Sequence, residues 1–324
     1  MNSKFLYVEL TFSLVIPVYN RPNEIFELLE SLTVQSYTKN FEVIIVEDGS
    51  EQNAEEVVKT FKDKLDIKYF LKINSGAGMS RNFGMSKAKG SYFIIFDSDC
   101  IIPKHYLEEV DMVLNNHFTD AFGGPDAAHA SFTNIQKAIN YSMTSFLTTG
   151  GLRGGRKKID KFQPRSFNMG LSKEAFEKTG GFAEMKIGED IDLTFRLWEN
   201  NFNTQCIDNA FVYHKRRSTL KQFYKQTFAF GKARPFLNRK YPGTAKITYW
   251  FPSLFLIGLL FSVVVFFFGI PHFLLIYAFY GILFFMDSFI KNKKISVAVL
   301  SIASTGIQFT GYGLGFLIGT IKKS

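Results

Sequence analysis

Tyr92-Phe93-Ile94-Ile95-Phe96-Asp97-Ser98-Asp99-Cys100 is the stretch on which the reading of this chain turns. A short run that is apolar at every position predicts a strand buried on both faces, as in a parallel sheet. It stops on two carboxylates one residue apart. Open α/β sheets bind their ligands beyond the carboxyl ends of such strands. Carboxylate oxygens beside a phosphate also suit Mg²⁺ or Mn²⁺. Taken alone, Asp97-Ser98-Asp99 is equally a solvated turn, because Asp and Ser are ordinary turn residues.

The neighbouring segments shift that balance. Phe12–Val18 and residues 41–46 predict two more buried strands, the second running into Glu47-Asp48-Gly49-Ser50. Helices are expected from Pro22, over 54–64 and over 76–88, with a strand at 67–71. Strand and helix alternating at short intervals imply βαβ units and a mostly parallel sheet. Right-handed crossovers then gather the strand ends on one edge, which would collect Asn20, Asp48, Asp97 and Asp99. Asn74-Ser75-Gly76-Ala77-Gly78 leads into Ser80-Arg81-Asn82 without Rossmann or P-loop spacing. It reads either as a plain helix start or as backbone N–H groups and Arg81 meeting an anionic nucleotide. Residues 167–176 predict a strand and a helix capped by Ser172. Gly188-Glu189-Asp190 opens a further helix whose acids suit the helix dipole as well as they suit catalysis.

Six of these segments, in this order, resemble the family 2 glycosyltransferases, which have the GT-A fold. They are Val15-Ile-Pro-Val-Tyr-Asn20, Val46-Glu-Asp48-Gly-Ser50, Ser80-Arg-Asn82-x-Gly84, Asp97-Ser-Asp99, Gly180-Gly-Phe182 and Gly188-Glu-Asp190. The match runs from about Phe12 to Arg217. The resemblance implies a nucleotide-sugar donor, lined by Pro17, Tyr19, Asn20, Asp48, Arg81 and Asp97, with Asp48 on the nucleobase. It implies Mn²⁺ or Mg²⁺ on Asp99, with His214 as a second ligand, although a lone histidine is as often a packing residue. Asp190 matches the catalytic base of an inverting transfer. Asn168, Glu189, Arg216 and Arg217 are candidates for contacts to acceptor or diphosphate. The Gln-x-x-Arg-Trp signature of processive members is missing, which favours addition of one sugar over a polysaccharide synthase. The intact Asp48, Asp99 and Asp190 disfavour an inert nucleotide-binding membrane scaffold.

Composition bears on location. The 324 residues carry 37 Phe, 14 Tyr and a net charge of +9, with aromatics rising toward the C-terminus. Two cysteines, without metal-type spacing, fit a reducing compartment and no disulfide framework. The first ten residues lack an apolar signal-peptide core, so the N-terminal part is expected in the cytoplasm. Between 248 and 290 the only charge is Asp287, and Pro271 divides the stretch into two segments of membrane-spanning length, about 248–269 and 272–290. Lys291, Lys293 and Lys294 follow, then an uncharged Ile295–Ile321 that reads as a third span or, since a crossing would leave Lys322 and Lys323 outside against the charge bias, as a re-entrant or interfacial segment. The lysines place that loop on the cytoplasmic side. Gly311, Gly315 and Gly319 predict close helix packing within the protein. Between 215 and 246 lie ten Lys or Arg and no acid, interleaved with aromatics. This predicts a helix on an anionic membrane surface and no nucleic-acid module. The expected domains are 1–217 (catalytic), 218–247 (interfacial) and 248–324 (membrane). Together they predict a multi-pass inner-membrane enzyme acting on a lipid-linked or saccharide acceptor. Residues 150–161, rich in Gly and Lys/Arg, are read equally as a closing loop or as disorder.

Overall fold

The computed structural model describes residues 10–150 and 161–322; the leader reading and most of the 150–161 loop lie outside the described residues. In chain order come β1 (Phe12–Val18), α1 (Pro22–Thr33), β2 (Phe41–Asp48), α2 (Glu55–Lys59), β3 (Asp66–Lys72) and α3 (Ala77–Lys87). Next are β4 (Tyr92–Phe96), β5 (Cys100–Ile101), α4 (Tyr106–Asn116), β6 (Ala121–Gly123), β7 (Asp126–Ala127), α5 (Asn134–Thr144) and α6 (Phe146–Thr149). Then follow β8 (Asn168–Ser172), α7 (Lys173–Thr179), α8 (Glu189–Glu199), β9 (Thr204–Cys206) and β10 (Val212–His214). The chain ends in α9 (Leu220–Lys240), a 3₁₀ turn (Ile247–Trp250), α10 (Phe251–Phe267), α11 (His272–Asn292) and α12 (Ile295–Ile321). It divides into two compact units, Met1–Ala127 with Lys158–His214, and Ala128–Lys157 with Lys215–Ser324.

The first unit is an α/β domain with a seven-stranded sheet of order β3-β2-β1-β4-β8-β6-β9. β1 pairs parallel with β2 and β4, and β2 with β3, as the alternating pattern predicts. β8 runs antiparallel to β4 and pairs Asn168 with Phe96, so it begins at the same edge where β4 ends. The continuous apolar runs are explained by burial on both faces. Leu14, Ile16, Ile94 and Phe96 pack with α1 and α4, while Val15, Phe93 and Ile95 pack with Met85, Leu193 and Leu197. Pro17 is tolerated inside β1 because pairing with β4 stops at Val15, leaving no need for its missing N–H on that side. The helix expected over 54–64 is confined to α2, after which the Lys64 and Leu65 amides both donate to the Phe61 carbonyl in turns that lead to β3.

The second unit is helical. Residues from Ala128, including α5, cluster here with the C-terminal helices, a grouping invisible in chain order. Among the described residues, three helices are long and apolar enough to cross a membrane: Ile247–Phe267, His272–Asn292 and Ile295–Ile321. The glycine stripe of α12 lies against α9. A Cβ on Gly311 would stand 2.2 Å from Thr227 Oγ1, and one on Gly315 2.2 Å from the Phe228 carbonyl oxygen. On Gly319 it would meet the Lys232 carbonyl oxygen at 2.5 Å, and on Gly231 that of Tyr312 at 2.1 Å. Glycine lets these two backbones touch.

Candidate active site

The edge of the first unit is assembled by loops that follow β1, β2 and β4 and by three later segments. After β1, Asn20 adopts a left-handed φ of 54° and ties two loops together. Its amide donates to Ser50 Oγ at 2.8 Å, and its Oδ1 accepts from the Gln52 amide at 3.0 Å. Tyr19 beside it is 51% exposed, whereas Pro17 is buried in the strand.

Asp48 ends β2 and is 3% exposed. Its Oδ1 accepts from Lys72 Nζ at 2.6 Å and the Ser75 amide at 2.9 Å, and its Oδ2 from the Gly76 amide at 2.8 Å. Gly49 must follow, since it sits at φ 73° with Asn74 N only 2.7 Å from the place of a Cβ. Burial alone would raise the Asp48 carboxyl, but the Lys72 ammonium and the two loop amides outweigh it and hold it below its usual range. The ionised form is therefore favoured by folding. Its stabilising contribution is full above about pH 4 and is lost as pH falls further, through the depressed value. Asp48→Asn should thus flatten the fall in urea midpoint between about pH 6 and about pH 3. An unchanged acid slope would show that other carboxylates set it.

Asp97 and Asp99 leave β4 in a turn closed by the Cys100 amide on the Asp97 carbonyl. Their surroundings come from far along the chain. β10 pairs antiparallel with β5 so that His214 stands opposite Cys100, and parallel with β7 so that Val212 stands opposite Asp126. This brings His214 Nε2 to 3.2 Å from Asp99 Oδ1 and 4.0 Å from Asp97 Oδ2, with Nδ1 4.0 Å from Asp126 Oδ2. The Phe167 ring stacks on the imidazole, centroids 4.7 Å apart. Arg21 NH1 donates to the other Asp99 oxygen at 2.6 Å.

Asp99, Cys100 and His214 each offer one donor atom within 4.8 Å of the others. A carboxylate and an imidazole suit Mn²⁺ or Mg²⁺ chemistry. The Cys100 thiol does not, because burial and then Asp99 and Asp97 push its ionisation well up, and its Sγ lies 3.5 Å from the Phe167 carbonyl oxygen. The cluster of acids with a guanidinium drawn onto Asp99 fits a cation site.

Arg81 is 3% exposed, and its guanidinium joins two acids. NH2 donates to Asp97 Oδ1 at 2.7 Å and NH1 to Glu189 Oε1 at 3.0 Å, with the Phe182 ring 5.2 Å from Cζ. Burial raises the Glu189 carboxyl, neighbouring Asp190 raises it further, and Arg81 only partly offsets both. Asn82 clamps the Gly180-Gly181-Phe182 turn: Nδ2 donates to the Phe182 carbonyl and Oδ1 accepts its amide, both at 2.8 Å. Ser80-Arg81-Asn82 is thus a brace between the Asp97 loop and the start of α8. Gly188, at φ 87°, turns the chain into α8 and sets Glu189 and Asp190 in its first turn. Asp190 Oδ1 accepts the Ile191 amide at 2.8 Å, and its Oδ2 lies 3.6 Å from Arg165 NH1.

Two groups of expected site residues are placed otherwise. Asn168 is fully buried, its Oδ1 accepting from Tyr106 Oη and its Nδ2 donating to the Ala210 carbonyl at 2.8 Å, so its amide is committed to the fold and not held out to a ligand. Arg216 is buried in the helical unit, with NH2 3.2 Å from Asn140 Oδ1 and its carbonyl accepting from Gln136, while Arg217 is half-buried. Arg21, Lys72, Asp126, Arg165 and Phe167 complete the constellation without having been expected. Only Arg21, adjoining Asn20, carried a local cue.

The sequence model of glycosyl transferase family 2 matches residues 13–180, and that of glycosyl transferase family group 2 matches residues 162–285. An uncharacterized glycosyltransferase of Rickettsia felis is 35% identical over 130 residues, 40% of this chain and 20% of the relative. The poly(ribitol-phosphate) beta-N-acetylglucosaminyltransferase TarS of Staphylococcus aureus is 36% identical over 112 residues, 34% of this chain and 20% of TarS. The chain therefore matches about a fifth of the length of these relatives. Among solved structures, the mannosyltransferase PcManGT from Pyrobaculum calidifontis, in complex with GDP-Man and Mn²⁺, superposes with a TM-score of 0.61 at 13% identity. That match covers 91% of this chain and 86% of PcManGT, and supports the likeness of fold.

Proposed function

The chain belongs to glycosyl transferase family 2, and on that footing we propose that it is a membrane-attached, metal-dependent, inverting glycosyltransferase. Its donor is a UDP-linked sugar and its acceptor a lipid-linked saccharide of envelope or exopolysaccharide assembly. The catalytic unit faces the cytoplasm, and α10 and α11 span the inner membrane. The observation that carries this reading is the convergence of Asp99 and His214 across the β5–β10 pair, braced through Asp97–Arg81–Glu189 to Asp190. By strand spacing, Asp48 on β2 stands two strands, or about 10 Å, from β4. That separation suits a nucleobase at Asp48 and a diphosphate near Asp99.

In this mechanism Asp190 accepts the proton of the acceptor hydroxyl as its oxygen attacks the anomeric carbon. The bond from that carbon to the diphosphate oxygen breaks, and its electron pair leaves with the nucleoside diphosphate. One displacement inverts the anomeric centre. Asp99 and His214 would hold the divalent cation, which supplies positive charge to the leaving diphosphate. Arg21 must then release Asp99, and Arg81 keeps Asp97 and Glu189 in place.

UDP binding to the purified full chain, measured by calorimetry with and without Mn²⁺, tests the reading. Mn²⁺ should tighten binding, and Asp99→Ala should remove at least about tenfold of that gain, the lower bound for disturbing even an outer partner of a metal site. Metal-independent UDP binding, or an unaltered Asp99→Ala protein, would sink it.

A further inference from the structure

Both ends of the α10–α11 hairpin that lie on one side of a bilayer touch α12, and they touch it far apart. At the start of α10, Trp250 packs edge-on to Phe316, centroids 5.0 Å apart, and a Cβ on Gly313 would lie 2.9 Å from the Pro252 carbonyl. At the end of α11, Ser288 and Ser301 share a hydroxyl hydrogen bond of 2.7 Å. Between them, Phe309 meets Phe251, Phe255 and Phe284. Toward its turn the hairpin packs on itself, Phe261 against Phe273 at 5.6 Å, and nearer the open end Tyr277 Oη donates to the Phe255 carbonyl at 3.0 Å. If α10 and α11 cross and return, the start of one and the end of the other lie at the same membrane face. Residues 301 to 316 of α12 are then all held at that face, along about 22 Å of helix.

A second set of contacts agrees. α9 runs parallel to the last part of α12, from Thr227 beside Gly311, through Lys232 beside Gly319, to Arg239, whose NH1 donates to the Gly319 carbonyl at 3.2 Å. α9 carries Lys221, Lys225, Lys232, Arg234, Arg239 and Lys240 and no acid. A crossing α12 would draw several of these cations into hydrocarbon, where charge is costly. Arg234 instead stacks over Tyr249, Cζ 4.4 Å from the ring centroid, just before α10 begins. α12 also differs from its neighbours: it buries Val297, Ala298, Ser301, Ser304, Thr305 and Phe309 among other residues, whereas α10 buries Ser253 and Ser262 and α11 buries Phe284 and Ser288.

We propose that α12 does not cross the bilayer but lies in its interface, across the open end of a two-span hairpin. Val299, Ile302, Leu314 and Ile318, all exposed, face the acyl boundary, and α9 meets anionic headgroups. Lys322 stays on the side where Lys291, Lys293 and Lys294 emerge, as the bias of positive charge toward one face requires. This rests on reading α10 and α11 as spans.

The test uses the full chain with one accessible cysteine, introduced in a Cys206→Ser background where Cys100 is buried, probed by a membrane-impermeant maleimide in oriented vesicles. Lys322→Cys and Lys294→Cys should label from the same side, and His272→Cys only from the other. Labelling of Lys322→Cys together with His272→Cys overturns the proposal. Labelling of all three from one side removes the hairpin itself, and with it the membrane reading above. Spin labels at Val299, Ile302, Leu314 and Ile318, in vesicles of phosphatidylcholine and phosphatidylglycerol, should all report one shallow depth. A depth that passes through the bilayer centre between Val299 and Ile318 overturns the proposal independently.

Discussion

Asp190→Asn should lower turnover by about 10²- to 10⁴-fold while leaving Mn²⁺-dependent UDP affinity near that of the unaltered protein. The substitution keeps the shape of the side chain and its acceptor for the Ile191 amide, which is 2.8 Å away. It removes the basic oxygen that lies 3.6 Å from Arg165. Asp190 sits in the first turn of α8, whereas Asp48 ends β2 and Asp99 follows β4, so binding and chemistry should separate cleanly. The measurement is single-turnover transfer, or nucleotide-sugar hydrolysis, beside calorimetric UDP binding. Equal release of UDP by both proteins would exclude Asp190 as the base. Loss of UDP binding would mean that the substitution had disturbed α8 as a whole.

Arg81→Met should cost about 3 kcal/mol of stability, the lower part of the range for breaking a buried ion pair. The lower part applies because Asp97 remains 31% exposed, although the Arg81 and Glu189 side chains are only 4% and 14% exposed. Removing the guanidinium leaves two carboxylates without a counter-charge, and Glu189 is already pushed up by burial and by Asp190. Adding Asp97→Asn and Glu189→Gln to Arg81→Met should recover much of the loss, since neutral amides need no counter-ion. Chemical denaturation in detergent would measure both. A full-strength Arg81→Met protein would show that the three groups are not a structural unit.

These two expectations had different visibility in the sequence. Asp190 was legible because Gly188-Glu189-Asp190 follows a glycine turn and opens a helix, a local pattern that survives in the fold. Arg81 was legible as a motif residue expected on the nucleotide, while its hold on Asp97 and Glu189 was not legible. The reason is distance along the chain: the partners of Arg81 are 16 and 108 residues away, and Arg21 reaches Asp99 across 78. Such pairs leave no periodic trace. The partners of Asn168 were hidden for a related reason, since only the return of residues near Ala210 to β8 shows that its amide is used up.

The α/β class, the edge on which the carboxylates gather and the apolar hairpin all followed from residue order. Burial on both faces of a strand and the thickness of a bilayer each impose a continuous local pattern. The strand register that seats His214 and the lie of α12 did not. His214 acquires Asp99 as a neighbour through the register of β10 on β5, and α12 is held by contacts to α9 and to the open end of the hairpin. An uncharged run of 27 residues satisfies the length rule for a span whether it is sheathed by lipid or by a basic helix. Packing alone distinguishes the two, because the cost of a buried cation depends on what surrounds it and not on its place in the chain.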